Sequence, residues 1–215
     1  MHRVLPSLIA LACSFAPAIA HADGGDTVYG RLSGDLVLSA GIGGGVVVND
    51  RVGPEITGTT TVELRARLLD SGGLVIAPEW RPEGDDRVVI GVDVRPLFLL
   101  RFLLNLQSGD AWLDLFVDSI GIDLGVAIGP FDDDVGLATA LGLGIDVPLF
   151  LPDGVFGGVF FRVATRWVGA LSTDQLAPTG GTNDLVVLGV LTVRGVANLG
   201  LGGWEPATYR VRVEE

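Results

Sequence analysis

Carboxylates and guanidiniums recur at even spacing along this 215-residue chain: Glu63, Arg65 and Arg67; Asp93 and Arg95; Arg162 and Arg166. Arg31, Asp35, Asp123, Asp146 and Arg194 stand in the same kind of setting, each next to or two places from an apolar or small residue. Two chemistries are open to such a set. Asp35, Glu63, Asp93 and Asp123 could be drawn into acid–base pairs, since paired carboxylates can donate and accept protons across a substrate. Mixed signs withdrawn together from bulk water would instead form a salt-bridge network, because buried charges must be paired and hydrogen-bonded. Any charged interior offers carboxylate pairs, so the spacing assigns no catalytic residue. Asp132-Asp133-Asp134 could attract a hard divalent cation, but it lacks the spaced ligands and glycine of a calcium loop and reads as a solvated acidic turn. No metal-binding or cofactor-binding residue and no cofactor is expected.

Other chemistries depend on the first segment. Met1–Ala22 has His2 and Arg3 as a short basic start, an apolar run from Val4 to Phe15, and Ala-x-Ala sites at Ala18–Ala20 and Ala20–Ala22. This is the pattern of a cleaved secretory signal, with cleavage expected after Ala22. A buried N-terminal helix, or a lipoprotein signal using Cys13, is the alternative. Cleavage would remove Cys13, His2 and His21, and all 14 basic residues of the chain are Arg. Residues 23–215, read as one β-barrel domain, would then hold no Cys, His or Lys. Thiol nucleophiles, imidazole bases, Schiff bases and the nitrogen and sulfur ligands of zinc drop out together.

The charged positions need elements that hold them on one face, and period-two alternation supplies those elements. The clearest stretch is Asp118 to Val147. Ile120, Ile122, Leu124, Val126 and Ile128 alternate with Ser119, Gly121, Asp123 and Gly125; beyond an acidic turn, Leu137, Thr139, Leu141, Leu143, Ile145 and Val147 lie opposite Ala138, Ala140, Gly142, Gly144 and Asp146. One face is almost continuously Leu, Ile and Val, while the other is small or charged. A water-soluble strand would show long polar side chains on its second face. Small residues with a few charges suit the crowded lumen of a narrow closed barrel, and an unbroken aliphatic face suits lipid.

The same rhythm appears from Val28 to Val48, from Thr60 to Leu68, from Leu74 to Trp80, from Val88 to Val94, from Val159 to Trp167 and from Leu185 to Arg194, giving eight strands. Asn49–Gly58, Asp70–Gly73, Pro82–Asp86, Pro148–Gly154 and Ser172–Asn183 read as loops and turns. Tyr209 to Val213 is a further short alternation. Leu97–Leu106 breaks the pattern: it is Leu-rich, has no β-branched residue, and reads as one short helix, either beside the barrel or plugging its mouth.

Composition agrees with this reading. Hydrophobic residues make up 48% and charged residues only 19%, with mean hydropathy +0.51 and 32 glycines. Beyond the first segment there is no run of the ~18 apolar residues that a membrane helix needs, so a spanning structure would have to be a closed barrel. The net charge of −12 argues against nucleic acid as a partner.

A cleaved signal, eight alternating strands, and small inward residues with opposed charges together resemble the small eight-stranded outer-membrane β-barrel family of Gram-negative bacteria, of the OmpX and OmpA-barrel kind. The resemblance implies an all-β, antiparallel transmembrane β-barrel in the cell outer membrane. It also implies a structural or binding role in the cell envelope, not an enzymatic one, with the lipid bilayer and lipopolysaccharide as partners. Two other functions stay open: a soluble periplasmic barrel that carries a lipid inside, and a lipid-modifying outer-membrane enzyme.

Overall fold

Alternation along the chain becomes eight strands: β1 (Leu36–Asn49), β2 (Glu55–Leu68), β3 (Gly72–Trp80), β4 (Arg87–Val94), β5 (Gly121–Gly129), β6 (Gly136–Phe150), β7 (Gly158–Ala170) and β8 (Asp184–Ala197). Each is antiparallel to the next, and β1 pairs with β8, so the sheet closes in sequence order into a barrel. Two short helices, α1 (Pro96–Leu103) and α2 (Ala111–Asp118), lie between β4 and β5. This computed structural model describes residues 36–49, 55–82, 86–104, 106, 111–129, 136–151, 157–170, 183–197 and 199. The expected signal, Arg31, Asp35, Asp132–Asp134 and the alternation at Tyr209–Val213 lie outside the described residues.

Side-chain facing follows the expected parity. Along β8, Leu185, Val187, Leu191 and Val193 are exposed, while Asp184, Val186, Leu188, Val190, Thr192 and Arg194 are buried. The organising hairpin behaves in the same way, with Leu124, Leu141 and Leu143 outside and Asp123 and Asp146 inside. Among the described strand side chains, every charged one is buried and none of the exposed ones is charged. The barrel is therefore inverted relative to a soluble one. Its interior also holds two apolar clusters, Val47 with Ala164, Val186, Leu188 and Val190, and Ala77 with Val89, Ala127, Ala140 and Val168. No helix among the described residues is long and apolar enough to cross a membrane, which has no bearing on strands.

Three local features differ from the sequence reading. β2 begins at Glu55, inside the stretch Asn49–Gly58 read as a loop, because pairing from Asn49↔Glu55 through Val46↔Gly58 overrides the Pro and Gly signals there. The β2–β3 turn is centred on Leu69 and Asp70, at φ 52° and 55°, with Ser71 N–H donating to the Leu68 carbonyl; Gly72 and Gly73 already belong to β3. A two-residue hairpin turn with positive φ at both positions matches the twist of the strands it joins. It is strained for non-glycine residues, and Asp70 is held there by an ion pair described below. Finally, there are two helices where one was expected, and Trp112–Phe116 forms most of α2.

The helices occupy a gap in the wall. β5 reaches only as far as Gly121↔Gly144, while β6 runs six residues further, paired there with β7 alone. On the side of β6 left without a strand, Ser119 Oγ accepts from the Asp146 N–H at 2.8 Å and lies 3.0 Å from the Asp146 carbonyl, and Trp112 Nε1 donates to the Pro148 carbonyl at 2.9 Å. α2 and the serine that follows it thus satisfy backbone groups that the missing strand would have paired. The pair packs against β5 and β6, so it stands beside the wall.

Candidate functional site

The inward faces of β2 to β8 carry their charges into the barrel, where they form one connected network. At its centre, the Arg65 guanidinium reaches three of the carboxylates singled out in the sequence: Glu63 at 3.0 Å, Asp93 at 2.6 Å and Asp123 at 2.7 Å. Arg67 shares Asp93 at 2.6 Å. Arg162 spans Asp123 at 3.2 Å and Asp146 at 2.9 Å. Asp146 also accepts from Arg95 at 2.6 Å and Arg194 at 2.7 Å, so three guanidiniums converge on one carboxylate. Arg95 continues to Asp70 at 2.8 Å, which ties the strained β2–β3 turn into the lumen. The Arg194 guanidinium also lies over the Phe160 ring, 4.0 Å from its centroid.

Towards the end where β3 meets β4, Arg166 links Glu63, at 3.2 Å, to Glu79. Glu79 accepts from Arg87 at 2.7 Å; Arg87 and Arg81 share Asp184 at 2.9 and 2.8 Å. Eight guanidiniums therefore face seven carboxylates through the described interior. The chain as a whole is strongly acidic, so its excess negative charge lies outside this network.

The sequence reading placed Glu63, Arg65, Arg67, Asp93, Arg95, Asp123, Asp146, Arg162, Arg166 and Arg194 inward, and all ten are buried there. Asp70, Glu79, Arg81 and Arg87 were not singled out. Glu79 and Arg87 carried a usable signal, since Glu79 continues the parity of Val75 and Ala77, and Arg87 that of Val89 and Asp93. Asp70 carried none, because a turn residue has no parity to extend.

Chemically, every carboxylate in this set accepts from at least one guanidinium. Glu63, Asp93 and Asp123 do come together, but around Arg65, as paired acceptors in a space also filled by the two apolar clusters. Among the described residues, no group of three or more His, Cys, Asp or Glu is placed to hold a metal ion. No family model matches the chain, and no curated protein matches it.

Proposed function

We propose that this protein is an integral outer-membrane β-barrel with a structural or binding role, its apolar exterior in contact with lipid and its lumen closed by its own side chains. The observation that carries the reading is the inversion of the wall: Ile42, Ile56, Leu74, Leu143 and Val193 are among the exposed side chains, while Arg67, Glu79, Asp93 and Arg162 are almost wholly buried. Contiguous apolar surface on this scale is unfavourable in water and favourable in a bilayer. Dimensions support the same environment. The 14-residue strands β1, β2 and β8, rising ~3.3 Å per residue and tilted ~40°, would stand about 35 Å tall, enough to cover a hydrocarbon layer of ~30 Å.

The interior disfavours the soluble lipid carrier, because a carried acyl chain needs an apolar cavity and this axis is occupied by ion pairs. A lipid-modifying enzyme would need a nucleophile activated by a free base, whereas the interior carboxylates are engaged with Arg. The signal-like segment together with a barrel supports a location in the outer membrane, with lipopolysaccharide and phospholipid as surroundings. Cell fractionation tests it: recovery from the outer membrane only in detergent, with β-rich circular dichroism, supports the proposal, and a freely soluble periplasmic protein refutes it.

A further inference from the structure

We infer that the α1–α2 pair is part of the lipid-facing surface, seated among acyl chains in one leaflet as a substitute for missing strand wall; the inference rests on the proposed membrane reading. The pair repeats the inversion of the barrel. Arg101 of α1 binds Asp114 and Asp118 of α2, the latter at 2.9 Å, and both carboxylates are buried. Phe98 and Leu115 are buried beside them, whereas Leu100, Leu103, Leu104 and Leu113 face outward, Leu103 with 76% of its surface exposed. A helical pair bathed in water would turn its ion pairs out and its leucines in. None of the exposed described residues of the two helices is charged, so their exposed described face lacks the charged side that a surface-lying amphipathic helix turns to water.

Lipid is the occupant that continuity favours. Leu149 and Phe150, on the extension of β6 that α2 packs against, are exposed like the helix leucines, so the apolar exterior of the barrel extends to the strand that α2 packs against. Backbone groups at that depth need partners other than water, and Ser119 and Trp112 supply them to β6. Each helix has eight residues and is therefore about 12 Å long, which confines the pair to one leaflet.

The test uses single nitroxide labels in a Cys13→Ser background, at Leu103→Cys on α1 and at Leu124→Cys on β5, with Leu100→Cys as a second helical site. The proteins are reconstituted in phosphatidylcholine vesicles. Collisions with dissolved oxygen, which concentrates in acyl chains, are compared with collisions with a water-soluble nickel chelate. Both helical labels are expected to favour oxygen several-fold, as the label on β5 does. A β5 label that favours oxygen beside helical labels that favour nickel, or that neither reagent reaches, would overturn the helix inference and leave the membrane barrel standing. Labels that all favour nickel would overturn both.

Discussion

Asp146 and Arg162 are partners twice over: their Cα positions are paired in the β6–β7 ladder, and their side chains meet inside the barrel at 2.9 Å. The register that closes the wall is thus the register that neutralises the lumen, and a slip of one residue between β6 and β7 would turn one of the two charges outward and leave the other in the lumen without it.

Unequal sharing within the network predicts unequal mutational costs. Asp146→Asn removes the negative charge shared by Arg95, Arg162 and Arg194, and is expected to cost about 3–5 kcal/mol in urea unfolding of the detergent-folded protein. Arg194→Gln should cost less, since Asp146 keeps two partners. Combining Asp146→Asn with Arg162→Gln is expected to cost less than the sum of the two single changes, because both break the same Asp146–Arg162 contact. Additive costs would show that the charges are wetted and independent.

The two faces of the β5–β6 hairpin should differ in what they accept. Leu124→Arg or Leu143→Arg places a charge on the exposed apolar surface and is expected to impair folding into bilayers by about 2–4 kcal/mol near the midplane. Gly142→Ser should be milder, because it places no charge on the apolar surface, although its Cβ is a tight fit, 3.2 Å from both Asp123 Cβ and the Thr165 carbonyl oxygen. Gly144 is different: a Cβ would run into the Arg162 guanidinium that crosses over it, so Gly144→Ala should displace Arg162 and cost more than Gly142→Ala. Vesicle-folding titrations on this set give the order directly.

Ser119→Ala tests the cover over the β6 edge. The substitution removes both contacts to Asp146 and leaves its N–H buried without that acceptor, at an expected cost of about 1–3 kcal/mol. Faster amide exchange at Asp146, with little change at Leu141 within the β5-paired part of β6, would localise the effect. Unchanged exchange at Asp146 would mean that the helices do not protect this edge.

Alternation was legible where both faces carried a message. Asp123 and Asp146, set among Gly, Ala, Leu and Ile, marked parity strongly enough to place strands and lumen together. The sequence hid features fixed by distant pairing. The first residues of β2 look like a loop until β1 is laid beside them. Asp70 turns inward because Arg95 draws it there from another strand end. α2 was obscured because Trp112–Phe116 is too short to show a helical period by itself. Its role at the β6 edge depends on β5 starting opposite Gly144, six residues short of the end of β6, which no local pattern encodes.

A lumen filled by ion pairs and apolar clusters should not conduct. Planar-bilayer recordings are expected to show no steady single-channel current for the native protein or for Arg65→Gln and Asp93→Asn. Stably folded variants that carried current with altered ion selectivity would establish an aqueous path.

Contact between the outer surface of the barrel and lipid can be read from fluorescence quenching by brominated acyl chains. Trp80 and Trp167 stand on that surface with 42% and 40% of their area exposed. In a Trp112→Phe, Trp204→Phe protein reconstituted in vesicles, brominated phosphatidylcholine is expected to quench most of the remaining emission, while aqueous iodide leaves it nearly unchanged. Emission quenched by iodide and indifferent to brominated lipid would contradict the account.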